Sequence, residues 1–250
     1  FIYSAMTVME IVVLVYIINT EGNPAFKLTW ILCVMALPVI GTIFYIYVHL
    51  QLETRFVQNR LAALRMETEP YMDQDQKITD ALWAGKSANA QLSYYLSHQL
   101  GFPTYRNTEV EYFPVGEAKF ASMIKELEKA EKFIFMEYFI VEEGIMWDTI
   151  LEILKRKAEE GVEVRFMYDG MCAFDLLPYN YPKKLQKFDI KCKMSNKIRP
   201  FVSTIQNNRD HRKICVIDGQ VGYVGGVNLA DEYINEKERF GHWKDTAVMI

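Results

Sequence analysis

A histidine and a lysine two residues apart, then an aspartate and a glycine-rich turn, stand in the stretch Asp210 to Asn228, DHRKICVIDGQVGYVGGVN. On a β-strand side chains alternate between faces, so His211 and Lys213 project to the same side, about 7 Å apart. Such a pair suits work on a phosphate. The imidazole can attack phosphorus or shuttle a proton, and a fixed ammonium neutralises the non-bridging oxygens. Asp218 stands at an Asp-Gly turn, from which the chain reverses into a strand over Val221 to Val224. Gly225 and Gly226 then leave backbone N–H groups unobstructed, and Asn228 adds an amide donor, a combination able to cradle a phosphate. A second pair, His242-Trp243-Lys244, lacks this company: five positions beyond its lysine stands Met249, and no Gly-Gly-x-Asn follows. It reads as an ordinary turn before a strand.

His211, Lys213 and Asp218 match the HxKxxxxD motif of the phospholipase D superfamily, and Gly225, Gly226 and Asn228 match its GGxN or GSxN tail. The flanking runs, Asn208 to Lys213 and Gly225 to Tyr233, look like those of bacterial cardiolipin synthases rather than secreted phospholipases or nucleases. The resemblance implies phosphatidyl transfer in two steps. A histidine attacks the phosphodiester of one phosphatidylglycerol, releasing glycerol and leaving a phosphatidyl-histidine; the hydroxyl of a second phosphatidylglycerol resolves it to cardiolipin. In that scheme His211 is the nucleophile or the acid/base partner. Lys213, Asn228 and the Gly226 turn bind phosphate oxygens, and Asp218 orients a histidine or holds the lysine as the third member of a triad. No metal or other cofactor enters. The family usually carries two such motifs and this chain carries one, so the second comes from a missing C-terminal half or from a second copy. The 250 residues alone are therefore expected to be inactive. Two readings from other classes stand beside this one: a phosphodiesterase or nuclease using water, and a non-catalytic membrane-anchored module. Nucleic-acid cleavage set against lipid transfer separates the first, and the effect of His211→Ala on transfer separates the second.

Apolar residues make up 50% of the chain and are concentrated in its first fifty positions. A net charge of −4 provides no basic face for nucleic acid. The chain begins at Phe1 without methionine and stops at Ile250 inside an apolar run, so both ends look cut and a longer parent protein is expected. Its four cysteines, Cys33, Cys172, Cys192 and Cys215, follow no metal or disulfide spacing and are expected as free thiols. No carboxylates cluster for Mg²⁺.

The elements that must hold the motif follow an apolar start. Phe1 to Ile18 carries one charge, Glu10, and as a helix is about 27 Å long. Leu28 to Leu50 is uncharged and about 35 Å long as a helix, with Pro38 and Gly41 inside it. The two read as a transmembrane hairpin, 1–50, whose composition and Pro-x-x-Gly also resemble the two-helix anchor of cardiolipin synthases. Arg55, Arg60 and Arg65 after the second span place the remainder on the cytoplasmic side of the plasma membrane by the positive-inside tendency.

Residues 51–107 read as a helical connector. Gln51 to Glu67 is helical, either packed on the domain or lying on the membrane surface; Pro70 to Asp80 is a polar linker, and Ser87 to Leu100 is a helix stopped by Gly101 and Pro103. From residue 108 to 250, strands and helices alternate: Val110–Phe113, helix Glu117–Ala130, strand Lys132–Val141, helix Trp147–Glu160, strand Val162–Tyr168, strand Asp189–Lys193, the motif hairpin, and a short helix Leu229–Asn235. Strand, helix, strand with short loops implies parallel pairing and a right-handed crossover. The fold class is thus α/β, a sandwich similar to one half of a phospholipase D fold. The Lys132–Val141 run is apolar on both faces, as in a strand covered on both sides. Glu137 within it must find a partner, an arginine or the motif itself, and is a possible site residue. Asp169 and Asp175 read as loop caps. Arg199, Arg209 and Arg212 are candidates for the headgroup side of the pocket, although Arg212 points away from His211.

Overall fold

A computed structural model of the chain describes residues 2–50, 52–197 and 209–250. They form two compact units, Phe1–Tyr71 and Met72–Ile250. The stretch read as one connector, 51–107, is shared between them.

The first unit contains α1 (Ile2–Asn19), α2 (Pro24–Ala36), α3 (Pro38–Leu50) and α4 (Leu52–Thr68). Asn23 starts α2 by accepting the Ala25 N–H at 2.9 Å. The residue before a proline is pushed out of the helical region, and Leu37 sits at φ −133°, ψ 73°. The run expected as one long span is therefore broken into two helices of 13 residues, each about 20 Å long. No helix among the described residues is long and apolar enough to cross a membrane. The expected two-span hairpin is corrected to three apolar helices that meet around Val13, Ile17, Val34 and Tyr45. Gly41 permits the close approach of α3 to α2, because a Cβ there would stand 2.5 Å from the Cys33 carbonyl oxygen.

The second unit opens with α5 (Gln76–Ala84) and α6 (Ala90–Leu100). Part of α5 falls in the expected polar linker; Asp75 caps it, accepting the Lys77 N–H at 2.9 Å. Gly101 ends α6 at φ +71°. The rest is a mixed sheet of β1 (Glu111–Phe113), β2 (Phe133–Tyr138), β3 (Glu163–Asp169), β4 (Lys191–Ser195), β5 (Ile214–Ile217), β6 (Val221–Gly225) and β7 (Ala247–Met249). Their spatial order is β1-β7-β6-β5-β2-β3-β4.

The remaining α-helices of this unit are α7 (Gly116–Glu128), α8 (Ile145–Glu159), α9 (Cys172–Asp175) and α10 (Tyr181–Gln186). With α8 as crossover, β2 and β3 pair in parallel, as do β3 and β4, whereas β5 joins β2 antiparallel. The core lies on the face toward α7 and α8, where Met123, Leu127, Trp147, Ile150 and Leu154 meet the inward side chains of the strands. Trp147 donates its indole N–H to Tyr181 Oη at 2.6 Å, which satisfies the one polar atom it buries. The four cysteines are free thiols, as expected.

Candidate active site

Strand β5 begins at Ile214, so His211 and Lys213 occupy an extended lead-in rather than the strand itself. Alternation nevertheless continues through it. His211 is exposed and Lys213 is only 6% exposed. Both meet one ring: the His211 imidazole is 4.6 Å from the Phe139 centroid, and the Lys213 ammonium is 5.2 Å from it. Lys213 Nζ also donates to the His211 carbonyl oxygen at 2.7 Å. Burial lowers the lysine's pKa, against which the carboxylates of Asp245 and Asp210 act.

The lead-in is pinned from three sides. Asp169, fully buried at the end of β3, accepts the Met171 N–H at 2.9 Å, the Asp210 N–H at 3.3 Å and Arg209 Nη1 at 3.4 Å. Arg209 also donates to the Asn196 carbonyl oxygen at 2.7 Å. Asp169 is the loop cap its sequence suggests, and in addition it anchors the motif. Arg212 turns to the opposite side, where its guanidinium lies 2.7 Å from Glu137 and donates to Asp210 at 2.8 and 2.9 Å. Glu137 thus has an arginine partner, the first of the two alternatives expected of it. Burial, then the neighbouring Asp210, pushes its carboxyl up to about 7; the Arg212 hydrogen bonds hold Asp210 down at about 2. Each carboxyl thus works against or with its neighbour's charge: Asp210 helps to raise Glu137, while Arg212 keeps Asp210 ionised.

Two expected roles, those of Asp218 and Gly226, change in the folded chain. Asp218 lies beyond the far end of β5, and four residues of strand separate it from the lead-in by about 13 Å. Its carboxylate accepts the N–H groups of Glu131, Lys132 and Phe133, each at 2.8 Å. It fastens the β5–β6 turn to the start of β2, so it neither orients the histidine nor holds the lysine. The turn itself is as expected, with Asp218 and Gly219 both at positive φ, 54° and 71°. Gly226 does not offer its N–H to a ligand, since that group donates to the Thr246 carbonyl oxygen at 3.0 Å. Its lack of a side chain matters for another reason: any Cβ would collide with the Asp245 carboxylate. Asn228 is 2% exposed, accepts the Ile140 N–H at 2.9 Å and donates to Tyr233 Oη at 2.8 Å. It keeps one amide N–H beyond those two bonds.

Phe139 and Asp245 are the residues that sequence reasoning missed. Phe139 sits in the apolar run Lys132–Val141, two residues beyond Glu137, but nothing local marks its ring as the shared platform. Asp245 directly follows the discounted pair His242-Trp243-Lys244, whose backbone is tied down where Trp243 N–H donates to Asn235 at 2.7 Å. Arg199 and Asn208 fall outside the described residues. Among the described residues no group of three or more His, Cys, Asp or Glu side chains is arranged to hold a metal ion.

The arrangement offers an exposed imidazole beside a buried ammonium on an aromatic floor, with a carboxylate behind the lysine. Residues 123–240 match the family described as "Cardiolipin synthase, PLD-like domain", and residues 10–48 match "Phospholipase_D-nuclease N-terminal". The chain is 48% identical over 235 residues to an uncharacterised protein of Streptococcus mutans, covering 94% of this chain and 51% of that one. It is 31% identical over 258 residues to a cardiolipin synthase of Alkalihalophilus pseudofirmus, covering 99% and 50%. It thus spans about half the length of the curated relatives it matches. Among solved structures it is similar to the phospholipase D family member Nuc from Salmonella typhimurium, with a TM-score of 0.41 and 16% identity, covering 56% of this chain and 80% of that one.

Proposed function

Since the chain belongs to the phospholipase D-like family of cardiolipin synthase domains, we propose that it forms one half of a phosphatidyltransferase that makes cardiolipin from two molecules of phosphatidylglycerol. His211 serves as the nucleophile, or as the acid and base for a nucleophile on the other half. As nucleophile, its imidazole nitrogen bonds to phosphorus while the glycerol oxygen leaves with a proton. The hydroxyl of the second lipid then displaces the imidazole and gives up its own proton, so the sum is an exchange of one phosphodiester for another. Lys213 stabilises the charge on the non-bridging oxygens. Asn228, whose amide keeps one N–H beyond its bonds to Ile140 and Tyr233, is the proposed second donor to the phosphate, and Asp245 supports the lysine's charge.

The observation that carries this reading is the convergence of His211 and Lys213 on Phe139, one exposed for attack and the other buried where a charge acts strongly. The partner is a second motif on another half, so transfer requires the longer protein or a paired copy. The exposed apolar surface of α1 to α3, with Val8, Ile11, Val12 and Ile40 each more than half exposed, suits contact with the lipid phase that holds the substrate.

The test uses full-length protein and vesicles of labelled phosphatidylglycerol. Cardiolipin and glycerol should appear in equal amounts, and His211→Ala should abolish both. Unchanged product from that variant, or release of phosphatidic acid in place of cardiolipin, would sink the proposal.

A further inference from the structure

The amide of Asn228 is held at both of its ends. The Ile140 N–H can only donate, so the amide atom 2.9 Å from it is the oxygen. The amide nitrogen then faces Tyr233 Oη at 2.8 Å. With both ends fixed, the second N–H of Asn228 has one direction left. The Ile140 bond by itself would let the amide plane turn about that contact. Tyr233 is therefore the residue that decides where the spare N–H points, and the transfer scheme has so far given it no role.

Tyr233 is itself firmly placed. It lies in the 3₁₀ turn Asp231–Ile234 and is 6% exposed. At the start of that turn Asp231 accepts the Ile145 and Met146 N–H groups at 3.0 and 2.8 Å, which ties it to the beginning of α8. Just past its end Asn235 accepts the Trp243 N–H at 2.7 Å and donates to the Trp243 carbonyl oxygen at 2.9 Å. The Trp243 ring lies 4.9 Å from the Tyr233 ring. The pair His242-Trp243-Lys244, which forms no second motif, thus supplies the tryptophan that backs the tyrosine. Burial raises the phenol's pKa, against which the Asn228 hydrogen bond acts, so the group is a neutral hydroxyl at neutral pH.

We infer that Tyr233 is a positioning residue for the chemistry at the phosphate: its hydroxyl oxygen turns the Asn228 amide so that the remaining N–H meets a phosphate oxygen. The inference rests on the reading of His211 and Lys213 as a phosphodiester-cleaving pair and extends it by one residue. Tyr233 touches no reacting atom; it acts through Asn228. A donor aimed in advance stabilises developing charge without reorganising during the reaction. A donor that loses its aim loses rate, on the order of a hundredfold for a displacement of about 1 Å.

The experiment uses full-length protein and vesicles of labelled phosphatidylglycerol, with consumption of that lipid counted per folded molecule. Tyr233→Phe keeps the ring against Trp243 and deletes one oxygen. Its kcat should fall about tenfold with KM within about twofold of native, since a donor to transition-state charge shows in kcat. Added to Asn228→Ala, the same change should cost less than about twofold more, because the group it acts through is gone. A native kcat for Tyr233→Phe overturns the inference. So does a further tenfold loss in the Asn228→Ala background, which marks a general structural role. If Tyr233→Phe melts far below the native protein, Trp243→Phe, which loosens the backing and keeps the hydroxyl, goes through the same two measurements with the same directions expected. Release of phosphatidic acid in place of cardiolipin sinks the transfer reading and leaves these ratios readable, so the two failures are told apart. Native protein that consumes no phosphatidylglycerol overturns both.

Discussion

Lys213 donates a hydrogen bond to the backbone carbonyl of His211 at 2.7 Å. The motif's lysine thereby holds the main chain of the motif's histidine as well as facing the same aromatic ring. A buried ammonium has three N–H groups to place, and this bond uses one while leaving the charge available to an incoming phosphate. The same contact ties the loss of the lysine to the placement of the histidine.

Lys213→Met should therefore remove more than a charge. The side chain is nearly isosteric and apolar, so the fold should survive with a melting temperature within a few degrees of native. Cardiolipin formation by full-length protein should fall at least about a hundredfold, the scale expected when an electrostatic group is taken from a transition state. Activity assays beside thermal unfolding check this, and near-native turnover would contradict it.

Phe139 fixes both groups by packing. Phe139→Ala should reduce transfer by roughly tenfold or more through lost positioning, while Phe139→Tyr, which keeps the ring, should retain most activity. A comparison of the two variants at matched folded fraction separates ring contact from bulk stability.

Asp218→Asn should act on stability and not on chemistry. It weakens three hydrogen bonds to backbone N–H groups 85 to 87 positions away, for a loss of about 1–3 kcal/mol. Activity per folded molecule should remain close to native. A large fall in turnover without a fall in melting temperature would restore the triad role that the folded chain denies it.

Gly226→Ala should destabilise the second unit, because the new methyl group overlaps the Asp245 carboxylate. Overpacking of this kind costs about 1–3 kcal/mol. The shorter, apolar Asp245→Ala added to it should recover part of that loss in denaturant titrations.

Glu137 makes stability depend on pH. Its folded pKa, about 7, lies above the ordinary carboxyl value, so its contribution is fully present below the unfolded value near 4.3. That contribution is lost as pH rises through about 7, by an amount on the order of 1–3 kcal/mol. Glu137→Gln removes this carboxyl and should flatten the stability profile between pH 5 and pH 8. Unfolding midpoints across that range measure it, and parallel profiles for the two proteins would contradict the assignment.

The sequence by itself determined the alternation of strands and helices, the Asp-Gly reversal, the buried β2 and β3, and the pairing of a histidine with a lysine two residues on. Those features are local: a period of two, a turn pair, or a spacing within one extended run decides each of them. It misled where a local pattern had to stand for a distance. Pro38 broke an apolar run that composition alone reads as continuous. Asp218 was grouped with the histidine by spacing, yet the length of β5 carries it to the opposite end of the strand. Phe139 and Asp245 come to the site only because β2 lies beside β5 and the chain returns through β7. Burial, which alone decides whether Lys213 is a solvated cation or a concentrated field, exists only once those strands have packed.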